Sequence, residues 1–405
     1  MKIGVPKEVF PGERRVALVP SLIPPLLKAG HEVRIEPGAG FEAGHHDREY
    51  EEKGATLAAS RDELYSSSDI ILQVRAAGAA GEAGAADLAR LRSEQIVIAA
   101  VDPLGQAEGA KGYAEKRVTL FGMELVPRIT RAQSMDILSS QAMVAGYKAV
   151  MLAANECPRL FSMEMTAAGT LSPAKVFVIG AGVAGLKAIA TAKRLGAVVF
   201  AYDVRAAVKE QIESLGGKFV TVEAETGDAE DKGGYAKEMT EEFYVRQRAR
   251  MAEVAKDCSA VITTAAIPGR QSPLLLTKEG VHGMAPGSCI VDLAAERGGN
   301  CELARPDERV VENGVVILGP SNLPSDMAQH ASQMFGKNLV TFLGLLFDKE
   351  GNLQLDVDDE IVRETMVTRG GEIVNERMRS ILGLPSAAPA PTSAPAPADS
   401  TGEKS

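Results

Sequence analysis

The sequence predicts an α/β protein in two units, each a mostly parallel, doubly wound sheet, with a cleft between them. Three observations carry this. Short β-branched runs alternate with amphipathic stretches almost from end to end, the pattern of successive βαβ units. A second such series opens after a long helical stretch at 134–154. A further helical pattern at 328–347, apolar on one side, is long enough to cross back to the first unit. With 405 residues, 45% of them hydrophobic and 24% charged, the chain can bury two or three cores and offset the entropy of ordering them.

In chain order, strands are expected at 2–5, 32–36, 70–74, 96–101 and 118–122, with helices at 22–29, 62–66 and 107–116 between them. The Ala/Gly-rich stretch 76–91 reads as a loop running into a helix. The second series holds strands at 175–180, 198–203, 219–222, 260–264, 289–293 and 315–318, and helices at 183–195, 208–215 and 237–255. Residues 353–384 then complete the first unit, which makes it discontinuous. The expected domains are 1–140 plus 328–384, then 141–327. The Ala/Pro-rich tail 385–405 has no means of forming a core. The acidic, Gly-containing stretch 223–234 is too polar to pack and reads as a mobile surface loop.

Composition excludes several function classes. A net charge of −10 without a basic run argues against nucleic acid as a partner. The apolar stretch 339–347 is about half the length of a bilayer crossing, so no membrane span is expected. Cys157, Cys258, Cys289 and Cys301 lack paired short spacing and sit in apolar runs; buried free thiols fit them better than a metal or redox site. The N-terminus reads as a strand rather than a signal peptide, which points to the cytoplasm.

The strongest motif runs from Val176 to Gly185. It closes an apolar strand and opens an apolar helix with Gly180, Gly182 and Gly185 in the dinucleotide spacing. Gly180 permits the tight turn, Gly182 the approach of a pyrophosphate, and Gly185 close packing of helix on strand. Ala181 and Val183 belong to the same turn, whose amides face the phosphates at the positive end of the helix dipole. Asp203 ends the next strand eighteen residues after Gly185, where a carboxylate accepts ribose hydroxyls and repels a 2′-phosphate by about 4 kcal/mol at 4 Å and an effective dielectric near 20. NAD(H) is therefore expected over NADP(H), with Arg205 placed to blunt the preference. The second unit is thus Rossmann-like, and the first shares its pattern. Gly38-Ala39-Gly40-Phe41-Glu42-Ala43-Gly44 imitates the motif, but its third glycine is one residue late and no helix pattern follows directly, so it reads as a plain loop.

A Rossmann unit names a cofactor, not a reaction. Residues 124–141 concentrate Arg, Gln, Asp and Ser where a strand meets the linking helix. On spacing alone this is either a polar ring facing the cleft or a capped helix start with a solvated face. The run Arg131-Ala132-Gln133-Ser134-Met135-Asp136-Ile137-Leu138-Ser139-Ser140-Gln141 resembles the signature of domain I, the NAD(H)-binding alpha subunit, of proton-translocating NAD(P) transhydrogenase. The stretches at 2–8, 166–170, 180–185, 203–205, 233–239 and 292–296 extend the resemblance to about residue 384.

That family shares its fold with alanine dehydrogenase. The dehydrogenase pattern keeps its Arg here as Arg15, but its Lys, His and Asp positions hold Arg75, Asp102 and Glu296. Without that His no acid/base remains for oxidising an amino acid. None of His31, His45, His46, His282 and His330 replaces it, His45 and His46 reading as a solvated pair in a polar loop. An alanine dehydrogenase-like oxidoreductase and a non-catalytic NAD-binding module are the alternatives.

The resemblance implies direct hydride transfer from NADH to NADP⁺ held by another polypeptide, with no metal. It implies that Arg128, Gln133, Asp136 and Ser139 position the dihydronicotinamide. Ile129, Val204, Gln247, Ala265 and Ala266 would also contact the nucleotide, and Gly234, Tyr235 and Met239 would belong to a mobile loop closing over it. The implied partners are NADP(H)-binding and transmembrane subunits and a second copy of the chain, so that the protein sits in the cytoplasm against the inner membrane.

Overall fold

The computed structural model describes residues 1–222, 240–266, 271–348 and 350–386. The readings made of 223–234, of Gly234, Tyr235 and Met239, and of the tail from 387 onward lie outside these residues.

Six strands of the first series, β1 (Lys2–Val5), β2 (Glu32–Ile35), β3 (Thr56–Leu57), β4 (Ile70–Arg75), β5 (Ile96–Ala100) and β6 (Thr119–Gly122), pair in parallel. A small hairpin, β7 (Glu164–Thr166) and β8 (Gly169–Leu171), precedes the second sheet. That sheet comprises β9 (Lys175–Ile179), β10 (Val198–Tyr202), β11 (Lys218–Phe219), β12 (Ala260–Thr263), β13 (Cys289–Asp292), β14 (Arg309–Glu312) and β15 (Val315–Leu318), in the order β11-β10-β9-β12-β13-β15-β14. The chain then returns: β16 (Met366–Arg369) and β17 (Glu372–Ile373) extend the first sheet to β17-β16-β6-β5-β4-β1-β2-β3. Each sheet carries antiparallel pairing at one edge only, β16 on β6 and β17, and β14 on β15. Both are therefore mostly parallel with helices on their faces, the architecture expected of Rossmann-like units.

The central strands form because their runs of Ile, Val and Leu are buried on both faces, as β4 and β9 show. The crossover helix Ala328–Leu343 lays Phe335, Leu339 and Phe342 on the first core, Phe342 meeting Phe121 edge-on at 5.2 Å. It ends at Leu343, four residues short of the expected 347, because Gly344–Leu346 tightens into a 3-10 turn. The linking helix runs Ile137–Glu156 rather than 134–154, since Thr130–Met135 is itself a 3-10 helix and Asp136 caps the helix after it. Likewise Thr240 caps Glu241–Lys256, accepting from Phe243 N at 3.3 Å, and β11 is two residues long instead of spanning 219–222.

By length and composition the linking helix alone, among the described residues, suffices to cross a membrane, a signal the sequence reading passed over. Its Ala149, Val150 and Ala153 pack in the second core and its Ile137 in the first, so it is a core helix joining the two. All four cysteines are buried and free, burial pushing the Cys258 and Cys289 thiols up to about 12. Of the expected solvated histidine pair only His46 is exposed; His45 packs edge-on against Tyr50 with Nδ1 3.5 Å from Glu49. The glycine-rich imitation at 38–44 forms one 3-10 turn, and Gly40 is needed there because a Cβ would strike the Tyr50 ring.

Candidate functional site

The turn after β9 is built by its glycines. Gly180 has φ +96°, and a Cβ on it would lie 2.7 Å from Thr264 Oγ1 and 2.9 Å from Ala265 N. A Cβ on Gly185 would overlap the Gly180 carbonyl oxygen, so this glycine lets the helix close on the strand. At Gly182 a Cβ would meet nothing within 4 Å. The backbone there faces open space at the start of the helix Val183–Arg194, which has no side-chain cap. Uncapped first-turn amides and the positive helix end are what an anion seeks.

A groove of about 390 Å³ begins at this turn, lined from the second sheet by Gly180, Gly182, Val183, Asp203, Val204, Arg205, Gln247, Ala265 and Ala266 and from the linking segment by Arg128 and Ser139. Gln247 is 4% exposed; its Nε2 donates to Tyr202 Oη at 2.8 Å while its Oε1 has no partner. An orphaned acceptor in a groove wall, an open glycine and an uncapped helix end suit a dinucleotide. Asp203 differs from expectation. Its carboxylate already accepts from Ala181 N at 2.8 Å, from Arg205 N at 2.9 Å, and from the Arg205 guanidinium at 2.9 Å through both oxygens. Much of the charge meant to repel a 2′-phosphate is thus neutralised in place.

The polar segment satisfies both of its sequence alternatives. Asp136 caps the linking helix, Oδ1 accepting from Ser139 N at 2.9 Å and Oδ2 from Ser139 Oγ at 2.6 Å. With Arg128, Ile129 and Gln133 the same two residues line a second hollow of about 390 Å³. Arg128 and Ser139 border both spaces. Gln133 is exposed. Ala181 and Gly185 lie behind the turn rather than in the groove wall. Leu138, Tyr202, Thr264 and Pro273 line the groove without a sequence signal of their own; the aromatic pair Phe243-Tyr244 opening its helix was the nearest to one.

A third space of about 750 Å³, between the two sheets, meets the groove at Arg128, Leu138 and Ala266. Here stand Arg15, Arg75, Asp102 and Glu296. Arg15 is bonded to Glu13 through Nε and Nη2, both at 2.7 Å, and to Gln141 at 2.9 Å. Burial alone would raise Glu13, but these bonds and the charge of Arg15 hold it down at about 2. The Arg75 guanidinium lies 4.0 Å above the Phe10 ring, with Glu13 3.5 Å from its Nε. Asp102 joins the two units through Arg297 at 3.0 Å, and burial raises Glu296. These ion pairs occupy the charged groups of the space with one another. Among the described residues no cluster of three metal-ligating side chains occurs.

Comparison with known proteins agrees with this geometry. Residues 4–145 match the family model for the N-terminal domain of alanine dehydrogenase/PNT, and 149–376 that for its C-terminal domain. The chain is 48% identical over 377 residues to the first of the two alpha-subunit polypeptides of NAD(P) transhydrogenase from Rhodospirillum rubrum, covering 93% of this chain and 98% of that one. It superposes on the transhydrogenase structure from Sinorhizobium meliloti with a TM-score of 0.79 and 43% identity, covering 93% of this chain and 99% of the other. Alanine dehydrogenase of Halomonas elongata is 29% identical over 398 residues, covering 95% and 97%.

Proposed function

Because the chain belongs to the alanine dehydrogenase/PNT family, as the first portion of an NAD(P) transhydrogenase alpha subunit, we propose that its groove binds NAD(H) and presents the nicotinamide for direct hydride exchange with NADP(H) on a partner subunit. The observation that carries this reading is the shared wall: Arg128 and Ser139 of the polar segment border the same groove as Gly180, Gly182 and Asp203.

In the forward direction the C4–H bond of NADH breaks with its electron pair and forms at C4 of NADP⁺, leaving NAD⁺ and NADPH. No proton moves at either carbon, so the site needs no general base. Its work is proximity and alignment, the reacting carbons about 3–3.5 Å apart. The pyrophosphate rests on the Gly180–Val183 turn with Ala181 behind it. Asp203, Val204 and Arg205 take the adenosine ribose, while Gln247, Ala265 and Ala266 flank the chain of the dinucleotide. Arg128, Ile129, Gln133, Asp136 and Ser139 position the dihydronicotinamide. An alpha subunit divided in this way implies further transhydrogenase subunits. These would supply NADP(H), cross the membrane and couple the exchange to proton translocation, with this chain at the inner-membrane face. A second copy is a further partner, supported by the β7–β8 hairpin, whose Met165 is 77% and Leu171 52% exposed.

The test is purified chain mixed with an NADP(H)-binding transhydrogenase component. NADH should reduce an NADP⁺ analogue, and the chain alone should show no alanine-dependent NAD⁺ reduction. Alanine-dependent reduction, or no transfer with the partner present, would refute the reading.

A further inference from the structure

Asn300 does not line the groove, yet one side chain of the protein holds the backbone that does, and it is this one. Its Oδ1 accepts from Ala265 N at 3.0 Å, and its Nδ2 donates to Ala265 O and to Pro273 O, both at 2.8 Å. Ala265 and Pro273 both border the groove. A side-chain amide offers one acceptor and two donors in a single plane, so it grips both polar groups of a peptide and still reaches a third. All of that capacity is used here.

Asn300 is itself fixed. It is fully buried, and its N–H donates to Asp292 Oδ2 at 2.8 Å. The Asp292 carboxylate, also fully buried, accepts in addition from Thr263 Oγ1, Ala294 N and Cys301 N at 2.8–2.9 Å. Gly298 and Gly299, with φ of +96° and +76°, turn the chain so that Asn300 comes back under Ala265.

The position matters because of strand order. β10, which ends next to Asp203, and β12, which leads into Ala265, flank β9 on opposite sides. A dinucleotide with its pyrophosphate on the β9 turn and its adenosine over β10 must lay its nicotinamide half toward β12. There Ala266 also borders the space between the sheets. We propose that Asn300, seated on Asp292, is a positioning residue for hydride transfer: it sets the Ala265 backbone against which the nicotinamide half of NAD(H) lies. This rests on the reading of the groove given above.

The experiment uses the full chain with its NADP(H)-binding partner and compares wild type with Asn300→Ala and Asn300→Asp, the second keeping the volume and one acceptor. Affinity for ADP-ribose, which lacks the nicotinamide, is measured beside NADH affinity and the transfer rate at saturating nucleotides. ADP-ribose affinity should stay within about twofold while transfer falls about tenfold or more, the scale of a small misplacement of reacting atoms. Transfer at the wild-type rate in both variants overturns the assignment. So does a parallel loss of ADP-ribose and NADH affinity, or failure of both variants to fold, either of which makes Asn300 a purely structural residue. A wild-type chain that binds neither nucleotide sinks the functional reading instead, and shows this before any variant is made.

Discussion

The Arg205 guanidinium lies along the Asp203 carboxylate, Nε 2.9 Å from Oδ1 and Nη2 2.9 Å from Oδ2. A ribose meeting Asp203 meets an ion pair, not a bare charge, and a 2′-phosphate meets less repulsion than Asp203 alone would supply. Arg205→Gln should therefore widen the preference for NADH over NADPH, by about tenfold for a change near 1.4 kcal/mol. Asp203→Asn should narrow it and weaken NADH binding by roughly tenfold or more, the worth of a hydrogen bond to a charged group. Fluorescence titration of both nucleotides checks this; relaxed discrimination in Arg205→Gln would reverse the argument.

Gln133 contrasts with its neighbours. Asp136 and Ser139 are bonded to each other, whereas Gln133 is exposed on the hollow they share. Gln133→Asn shortens the reach of the amide and leaves its chemistry. Hydride transfer should slow about tenfold or more with NADH affinity nearly unchanged. Stopped-flow rates set beside equilibrium binding decide it, since equal losses in both would make Gln133 a plain binding residue.

Asp136 should behave as a cap whatever else it does. Both of its oxygens accept from Ser139, at the N-terminus of the helix that joins the two cores. Asp136→Ala is expected to cost about 1 kcal/mol in urea denaturation, and Asp136→Asn, which keeps an acceptor, much less. Equal stability of the alanine variant would mean that the cap contributes nothing.

How much was legible in the chain depends on where each signal resides. The strands β4, β9 and β13 are buried on both faces, so their composition alone marks them. The glycines at 180, 182 and 185 act through backbone conformation, which any sequence displays at fixed spacing. The hairpin β7–β8 is exposed on every residue, and β14 lies at an edge, so neither carries a burial pattern. The Arg205–Asp203 pair spans two residues and could be suspected. Asn300 could not, because Ala265, Pro273 and Asp292 reach it only after the sheet has formed.

Glu8 gives a pH dependence of definite sign. It accepts from Val74 N at 2.7 Å and Arg75 N at 3.2 Å beside Glu13, and burial, then the charge of Glu13, push it from 4.5 up to about 8. Between those values the folded chain keeps a proton that the unfolded chain has released, so this group costs stability as pH rises through that window. Glu13, held at about 2, acts oppositely: its contribution is complete above 4.5 and is lost as pH falls toward 2. In urea titrations at pH 5 and pH 8, Glu8→Gln should lose less stability between the two than wild type does. An identical loss would show that Glu8 is ionised throughout.

Asp102 holds the left-handed conformation, φ +42°, at a position that is not glycine. Glu124 keeps it there: the buried carboxylate accepts from Val101 N at 2.9 Å and from Asp102 N at 2.8 Å. The ion pair with Arg297 across the two units is partly solvated and is worth at most about 1 kcal/mol. Asp102→Gly gives up that pair but relieves a backbone cost of about 1 kcal/mol, so its stability should lie close to wild type. Asp102→Val loses the pair and places a β-branched residue where its backbone resists, and should be less stable than the glycine variant by more than about 1 kcal/mol. Thermal melts of the two variants side by side test the ordering, and a valine variant as stable as glycine would mean that the turn relaxes out of the left-handed region.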